Sequence, residues 1–222
     1  MKAARFAAAA LLFCLGASTS AQRLQVVPDE DADFARGWAA YQASDPAKAL
    51  AYFRKAAARN QRVAQFNLAV MLVNGEGTRA DPKEGVMWLR RAAANGLAQA
   101  QYSLAVMYDR GENVEKSPAE ATVWYLKAAE QGWRDAQVSA ATQFFLGRGA
   151  PQDYAQAAKW YERAAEQGDE GACYIIASMY ESGDGVGRDL RRALHWYAQA
   201  AANGDAVAWA KAQEVAQKIR GN

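Results

Sequence analysis

The sequence contains few of the residues that most often build metal sites and nucleophilic active sites. Among 222 residues there is one histidine, His195, and there are two cysteines, Cys14 and Cys173. A single histidine excludes a metal site with several histidine ligands from one chain. Cys14 lies in a segment that we expect to be removed, which leaves Cys173 without an intramolecular disulfide partner. Packing must therefore stabilise the fold.

Common catalytic and phosphate-binding motifs are also absent from the sequence. It contains no Gly-Lys-Ser/Thr, Ser-x-x-Lys or Gly-x-Ser-x-Gly pattern. The acidic run from Asp29 to Asp33 begins with the spacing of a calcium loop, but Phe34 stands where such a loop needs glycine, and no glutamate closes it. We therefore predict no catalytic residue, no metal and no cofactor.

The amino-terminal segment has the pattern of a secretory signal peptide over residues 1–21. Lys2 and Arg5 precede an apolar run from Phe6 to Gly16, and small residues lead to Ala21. The run is shorter than the about 20 residues that a membrane-spanning helix needs. We expect export to the periplasm, with release from the cell as the alternative, and no membrane anchor in the mature chain.

Removal of residues 1–21 changes the charge balance. Lysines and arginines fall from 26 to 24, which equals the 24 aspartates and glutamates. Duplex binding needs a basic stripe, and binding to anionic lipid needs a polybasic patch. The mature sequence has neither, so a nucleic acid is not the expected partner.

A tandem repeat with a step of 36 residues dominates the rest of the sequence. The tryptophans of the repeat are Trp88, Trp124, Trp160 and Trp196. Two glycine columns keep the same step, at Gly75, Gly111, Gly147 and Gly183, and at Gly96, Gly132, Gly168 and Gly204. Large and small residues that recur in step indicate stacked units, each buried only against its neighbours.

Each unit has the pattern of two helices. In the unit 97–132, apolar residues recur at three- and four-residue spacing from Ala100 to Tyr108, and Gly111 ends that helix. Ser117 then caps a second helix, with Pro118 in its first turn. Aspartates hold the same capping position in the other units, at Asp81, Asp153 and Asp189.

The repeat step also divides the chain. Four full units cover 62–205, and a degenerate unit covers 33–60, so the repeat region is 33–205. Residues 22–32 are predicted to be a flexible lead-in. Residues 206–222 repeat only the opening helix and carry a polar face, which is typical of a capping helix.

Segments such as GEGTRADPKEGVMWLRRAAANG and GDGVGRDLRRALHWYAQAAANGD resemble the Sel-one-like repeat (SLR) family, a relative of the tetratricopeptide repeats. The resemblance implies an all-α fold, a right-handed α-solenoid of tandem helix-loop-helix repeats, and a role as adaptor or scaffold. Some envelope members carry cysteine pairs within each repeat and have been linked to β-lactamase activity or penicillin binding. This sequence lacks those pairs, so the activity does not carry over.

Two isolated residues, Cys173 and His195, each allow a chemical and a structural interpretation. Cys173 with His195 could form a nucleophile and base, but an inert thiol is favoured. An ordinary helix residue is favoured for His195, because the residues at its repeat position share no chemistry. The glycines of the GEG, GRG and GDG loops lie between helices, where a phosphate-binding loop does not belong.

By analogy with tetratricopeptide solenoids, the first helices should line a concave face that binds a protein or peptide. Three rows along these helices contain the predicted contacts. The first row is Phe66, Tyr102, Val138 and Tyr174; the second is Val70, Val106, Thr142 and Ser178; the third includes Asp109, Phe145 and Glu181. The alternative for the aromatic first row is packing between adjacent first helices. Trp133, outside the tryptophan ladder, is a separate candidate.

The leading hypothesis is an exported protein-interaction scaffold without catalytic activity. One alternative is an envelope hydrolase or cell-wall ligand binder, which rests only on the cysteine-rich branch of the family. Another is a regulator that docks onto an envelope enzyme.

Overall fold

The computed structural model describes residues 31–202 and 204–221. These residues form eleven α-helices and contain no strand, so the predicted all-α fold is confirmed. The predicted signal peptide and residues 22–30 of the lead-in lie outside the described residues.

The chain divides into two compact units, one ending at Gln131 and the other starting at Gly132. The helices of the N-terminal unit are α1 (Ala32–Gln42), α2 (Pro46–Ala58), α3 (Arg62–Asn74), α4 (Pro82–Ala94), α5 (Ala98–Arg110) and α6 (Pro118–Glu130). Those of the C-terminal unit are α7 (Arg134–Leu146), α8 (Tyr154–Glu166), α9 (Glu170–Ser182), α10 (Leu190–Ala201) and α11 (Ala206–Arg220). Within each unit, consecutive helices pack against each other.

The second helix of each repeat begins at the predicted capping residue. The Asp81 carboxylate accepts a hydrogen bond from the Glu84 N–H at 3.0 Å, and the Ser117 hydroxyl accepts one from Glu120 at 3.3 Å. Asp153 and Asp189 make the equivalent bonds. These side chains satisfy backbone N–H groups that have no partner within the helix. The predicted caps are confirmed.

The first helix of each full repeat ends at a glycine with left-handed backbone conformation, at Gly75, Gly111, Gly147 and Gly183. Side chains other than glycine are strained in this region. The predicted helix stops are therefore confirmed, and each stop redirects the chain into the loop before the second helix.

The core is built on small residues that repeat with the same step. Their alanines are fully buried, at Ala64, Ala100, Ala136 and Ala172. A methyl side chain allows neighbouring helices to approach closely, and larger residues fill the space beside them. Of the repeat tryptophans, Trp88 and Trp160 are buried, whereas Trp124 and Trp196 are half-buried.

Buried glutamines connect consecutive elements, a feature that the sequence analysis missed. Gln65 Nε2 donates to the Ala57 carbonyl at 3.2 Å, and its Oε1 accepts from Asn95 Nδ2 at 2.9 Å. One repeat later, Gln101 bonds to the Ala93 carbonyl at 3.1 Å and to Gln131 at 2.7 Å. Gln137 accepts from Gln167 at 2.7 Å. Gln65 and Gln101 thus each pair a buried backbone carbonyl, and all three glutamines accept a side-chain amide from the end of the following second helix.

Close backbone packing accounts for the glycine at the end of the GEG and GDG motifs, so these motifs need no bound ligand to explain them. A Cβ at Gly185 (φ 71°) would collide with the backbone of Tyr154 and lie 2.6 Å from the Ala155 nitrogen. In the N-terminal unit, Gly77 lies in the same way against Pro46. The glycine therefore lets the loop touch the start of the preceding second helix.

We predict that Gly185→Ala destabilises the protein much more than Gly168→Ala. Both glycines have positive φ, but nothing lies within 4 Å of a Cβ at Gly168. Gly168→Ala should cost about 1 kcal/mol for the left-handed backbone, and Gly185→Ala a further 1–3 kcal/mol or so for crowding. Urea unfolding of the two variants measures the difference. Equal losses would show that the loop moves away without cost.

Candidate partner-binding surface

The twelve predicted contact residues divide by burial. The buried ones are Phe66, Val70, Tyr102, Thr142 and Phe145. The half-buried ones are Val106, Asp109, Trp133, Val138, Tyr174, Ser178 and Glu181. Only the second group presents side-chain surface that a partner could contact without rearrangement.

In the N-terminal unit, the aromatic residues of the first row pack inside the protein. Phe66 is fully buried and Tyr102 is 7% exposed. The ring centroid of Tyr102 lies 5.7 Å from that of Tyr125 on α6. Both residues therefore belong to the core, and the ring contact of Tyr102 is with the second helix of its own repeat. The half-buried residues of the same unit are Val106 and Asp109 on α5.

In the C-terminal unit, Thr142 and Phe145 contact the second helix of their own repeat. The Thr142 hydroxyl donates to the Val138 carbonyl at 2.8 Å and lies 3.0 Å from the Tyr161 hydroxyl. Phe145 packs edge-on against Tyr154 and Tyr161, with centroids 5.3 and 6.4 Å apart. Both side chains are therefore held by core contacts, because each lies where α7 faces α8.

Glu181 belongs to a network with the last helix. It accepts a hydrogen bond from the Tyr197 hydroxyl at 3.1 Å and from Lys218 Nζ at 2.7 Å. Burial raises the pKa of Tyr197, which keeps the phenol protonated as the donor. Tyr174 lies edge-on to Tyr197 with centroids 5.2 Å apart. The charge of Glu181 is therefore compensated by Lys218 within the chain.

Trp133 stands at the N-cap position of α7, and its side chain makes no cap hydrogen bond. At the same repeat position Asp169 and Asp205 accept backbone N–H groups of α9 and α11. Helix capping therefore accounts for these aspartates, and they do not indicate an exposed binding surface. Trp133 is half-buried and, with Arg134 and Gln167, lines an open depression.

One column of large residues was not recognised from the sequence. It runs through the second helices at Phe53, Leu89, Tyr125, Tyr161 and Tyr197, all nearly or fully buried. The signal was present, since an aromatic residue recurs there in four of five repeats. The signal was missed because each residue of this column directly follows a repeat position of the tryptophan ladder, so the two columns look like one apolar face.

The second helices carry paired charges on their exposed surface. Arg54 on α2 binds Glu84 on α4, with Nη2 donating to Oε2 at 3.1 Å. In the C-terminal unit the signs are exchanged, and Arg192 on α10 binds Glu162 on α8. Both pairs join residues that are 30 apart in the sequence, on the second helices of consecutive repeats. These pairs connect consecutive second helices, so their charges are compensated within the chain.

Cys173 and His195 occupy different environments. Cys173 is 3% exposed, and its Sγ donates to the Ala165 carbonyl at 3.7 Å. Burial, with smaller effects of Asp169 and Glu170, raises the pKa of the Cys173 thiol to about 11. His195 is exposed and packs edge-on to Trp196. No hydrogen bond joins the two side chains in the described part of the chain.

Residues 31–202 and 204–221 contain neither a candidate membrane-spanning helix nor a candidate metal-binding cluster. No helix there combines the length and apolar composition that crossing a bilayer requires. Within the same ranges, no group of three or more His, Cys, Asp or Glu side chains is placed to hold a metal ion.

Paired antiparallel helices that repeat every 36 residues, with glycine stops and buried small residues, define an α-solenoid. The Sel1 repeat matches five consecutive stretches, 35–61, 62–97, 98–133, 135–169 and 171–205. The chain belongs to the Sel1 repeat family. The match includes the unit that the sequence analysis treated as degenerate.

Two solved structures are similar to this chain over most of its length. A protective antigen present in uropathogenic Escherichia coli strains, with an SLR fold, shares 36% identity over 81% of this chain, with a TM-score of 0.73. A Sel1 repeat protein from Oxalobacter formigenes shares 32% identity over 82%, with a TM-score of 0.71. The chain spans 39% of the first protein and 55% of the second. No curated protein matches it.

Sel1 repeat proteins are generally protein-interaction scaffolds and typically lack catalytic activity. The half-buried members of the three rows and the buried thiol of Cys173 agree with that general role.

We predict that Cys173 resists alkylation in the folded protein. Its thiol is buried and its raised pKa keeps the thiolate scarce at mildly alkaline pH. Iodoacetamide should leave the peptide containing Cys173 unmodified in native buffer and modify it fully in guanidinium chloride, as measured by mass spectrometry. Rapid labelling of the native protein would show an accessible, activated thiol and would reopen the nucleophile hypothesis.

Proposed function

We propose that this protein is an exported scaffold that holds a protein or peptide partner on the surface of its first helices. Its family supplies the general role. The specific surface and the export are our own assignments from the residues.

The surface assignment rests on a contrast between constant, buried positions and variable, partly exposed positions on the first helices. The alanine column of the first helices is identical and fully buried in all four full repeats. The second and third rows on the same helices change chemistry from repeat to repeat, and several of their members are half-buried, among them Val106, Asp109, Ser178 and Glu181. Packing within the repeat explains the constant positions. Variable, partly exposed positions on a constant frame are where a solenoid can distinguish partners.

The chemistry of these rows favours a peptide with apolar anchors. In the N-terminal unit, Val106 is half-buried beside Tyr102 and Met107, which are almost completely covered. In the C-terminal unit, Tyr174 offers partly exposed aromatic surface, and Ser178 and Glu181 add polar groups. Extended or helical segments bind such surfaces through a few apolar side chains flanked by hydrogen bonds.

The proposal of export rests on residues 1–21. Basic residues, an apolar run and a small-residue cleavage site form the three parts of a secretory signal. The mature chain would then act in the periplasm or outside the cell, with its envelope partner.

We predict that Val106→Asp weakens peptide binding, whereas Val123→Asp does not. Val106 lies on the proposed surface, and Val123, 47% exposed on α6, provides the same substitution on a second helix. Peptides would be selected from a random displayed library on the purified protein, and their affinity measured by fluorescence polarisation. The first variant should raise Kd by about tenfold or more, which is about 1.4 kcal/mol. Equal affinities would place the binding surface elsewhere, and a failure to select any peptide would contradict the scaffold proposal.

Export has its own test. In a Gram-negative host, the full chain should appear in the periplasmic or extracellular fraction, beginning at Gln22 by N-terminal sequencing. Leu11→Arg with Leu12→Arg places two charges in the apolar run and should leave the precursor uncleaved inside the cell. Gln25→Arg, outside the run, is the control and should be processed normally. Unchanged processing of the double variant would contradict the signal-peptide assignment.

A further inference from the structure

The last described helix, α11, carries a tryptophan at a repeat position where the earlier first helices carry smaller residues. Trp209 stands 36 residues after Cys173, and the same position holds Gln65, Gln101 and Gln137 in the other full repeats. Those four side chains are buried, with at most 5% of their surface exposed, whereas Trp209 is 60% exposed. A large apolar side chain therefore faces solvent at a position that is covered in every full repeat.

In the first full repeat, a second helix covers this side of the first helix. Gln65 on α3 accepts a hydrogen bond at 2.9 Å from Asn95 at the end of α4. Further along α3, a Cβ placed at Gly85 on α4 would lie 3.0 Å from the Ala69 carbonyl oxygen and 2.7 Å from Val73. The positions of Gln65, Ala69 and Val73 therefore define the side of a first helix against which another helix packs.

The same side of α11 is open in the described ranges, where α11 is the last helix. Trp209, Gln213 and Gln217 hold the three equivalent positions, and all of them are exposed. Residues at three- and four-residue spacing share one side of a helix. The outer face of α11 is therefore formed by Ala206, Trp209, Ala210, Gln213, Ala216 and Gln217.

The outer face of α11 contains no charged side chain. The charged residues in the middle of the helix lie on the flank towards α9, where Lys218 binds Glu181 and Glu214, each at 2.7 Å. Lys211 binds the same Glu214 at 2.9 Å. The centres of protein interfaces are depleted in charged residues and enriched in tryptophan. The outer face therefore has the composition of an interface, with Trp209 as its large apolar side chain.

This face is complementary to itself when two copies of α11 pack antiparallel across a two-fold axis at Gln213. Residues equally distant from Gln213 along the helix then lie opposite each other, because a two-fold contact is reciprocal. Trp209 lies against Gln217 of the second copy, and Ala210 lies against Ala216 of the second copy. The small alanines allow the two helices to approach closely, and each tryptophan ring covers the methylene groups of a glutamine.

The charges at the two ends of α11 favour the antiparallel direction. Asp205 is the N-cap of the helix, and Arg220 is its last residue. Antiparallel packing brings Arg220 of each copy towards Asp205 of the other, whereas parallel packing would place like charges together. Opposite charges at the edge of an interface determine its orientation and register.

We propose that the outer face of α11 binds the same face of a second copy of this chain, as an antiparallel two-fold pair. The proposal concerns assembly and does not depend on the peptide surface proposed above. Two single helices bury less than the about 800 Å² per partner of a standard interface, so the pair is reversible and forms in proportion to protein concentration.

Sedimentation equilibrium of the purified protein should give an average mass that rises with concentration from one chain towards two. Trp209→Gln introduces the residue that three full repeats carry at this position and should raise the Kd of the pair by about tenfold or more. Val207→Gln is the matched control. Val207 is 62% exposed on the same helix, and because it is two residues from Trp209 it points to the opposite side.

The control should leave the Kd of the pair unchanged, and circular dichroism checks that both variants keep their helices. Equal weakening by Trp209→Gln and Val207→Gln would overturn the assignment of the outer face. A mass of one chain at every concentration would overturn the pairing of two copies and leave the face to a helix of another protein.

Gln213→Cys tests the two-fold arrangement itself. Its thiol meets the thiol of the second copy at the axis, so mild oxidation should join two chains by a disulfide, which non-reducing electrophoresis detects. Gln217→Cys is the control, because this position faces Trp209 of the second copy and should form the disulfide much more slowly. Cys173 is only 3% exposed and does not compete. Equal cross-linking of both variants, or of neither, would overturn the antiparallel pair.

Discussion

The close approach of helices at alanine is the interaction on which the rest of this structure depends. Ala64 and its repeat equivalents are fully buried, so a larger side chain there would have to displace its neighbours in a close-packed interior. Alanine also loses no rotamer freedom on folding. Once the helix axes are fixed this closely, the gap beside them has a fixed size, and the ring column of the second helices fills it.

The parts of the fold that depend on local chemistry could be predicted from the sequence. An aspartate or serine before an apolar run accepts hydrogen bonds from backbone N–H groups, and a glycine after a helix tolerates positive φ. The roles of Asp81 and Gly111 could therefore be predicted from their local sequence. Because the pattern recurs every 36 residues, the interpretation of one repeat applies to the whole repeat region. Local rules and periodicity together define the family.

The burial of individual first-helix residues could not be predicted in the same way. A residue there is covered from two directions, by the second helix of its own repeat and by the next first helix. The helical period describes only the face of one helix. Phe66 and Tyr174 share a repeat position, yet the first is fully buried and the second is half-buried. What differs is the set of neighbours, and those neighbours lie far away in the sequence.

Departures from a repeat column carry information only where the space they leave is not refilled. Cys173 replaces a glutamine, but its thiol donates to Ala165, the carbonyl eight residues earlier, as Gln65 and Gln101 donate to theirs. That exception keeps the packing and one hydrogen bond, so it needs no function to explain it. Leu89 replaces an aromatic ring, and the space that remains beside Phe66 is about 20 Å³, close to the size of one water molecule. A void of that size costs little stability, so this exception needs no function to explain it either.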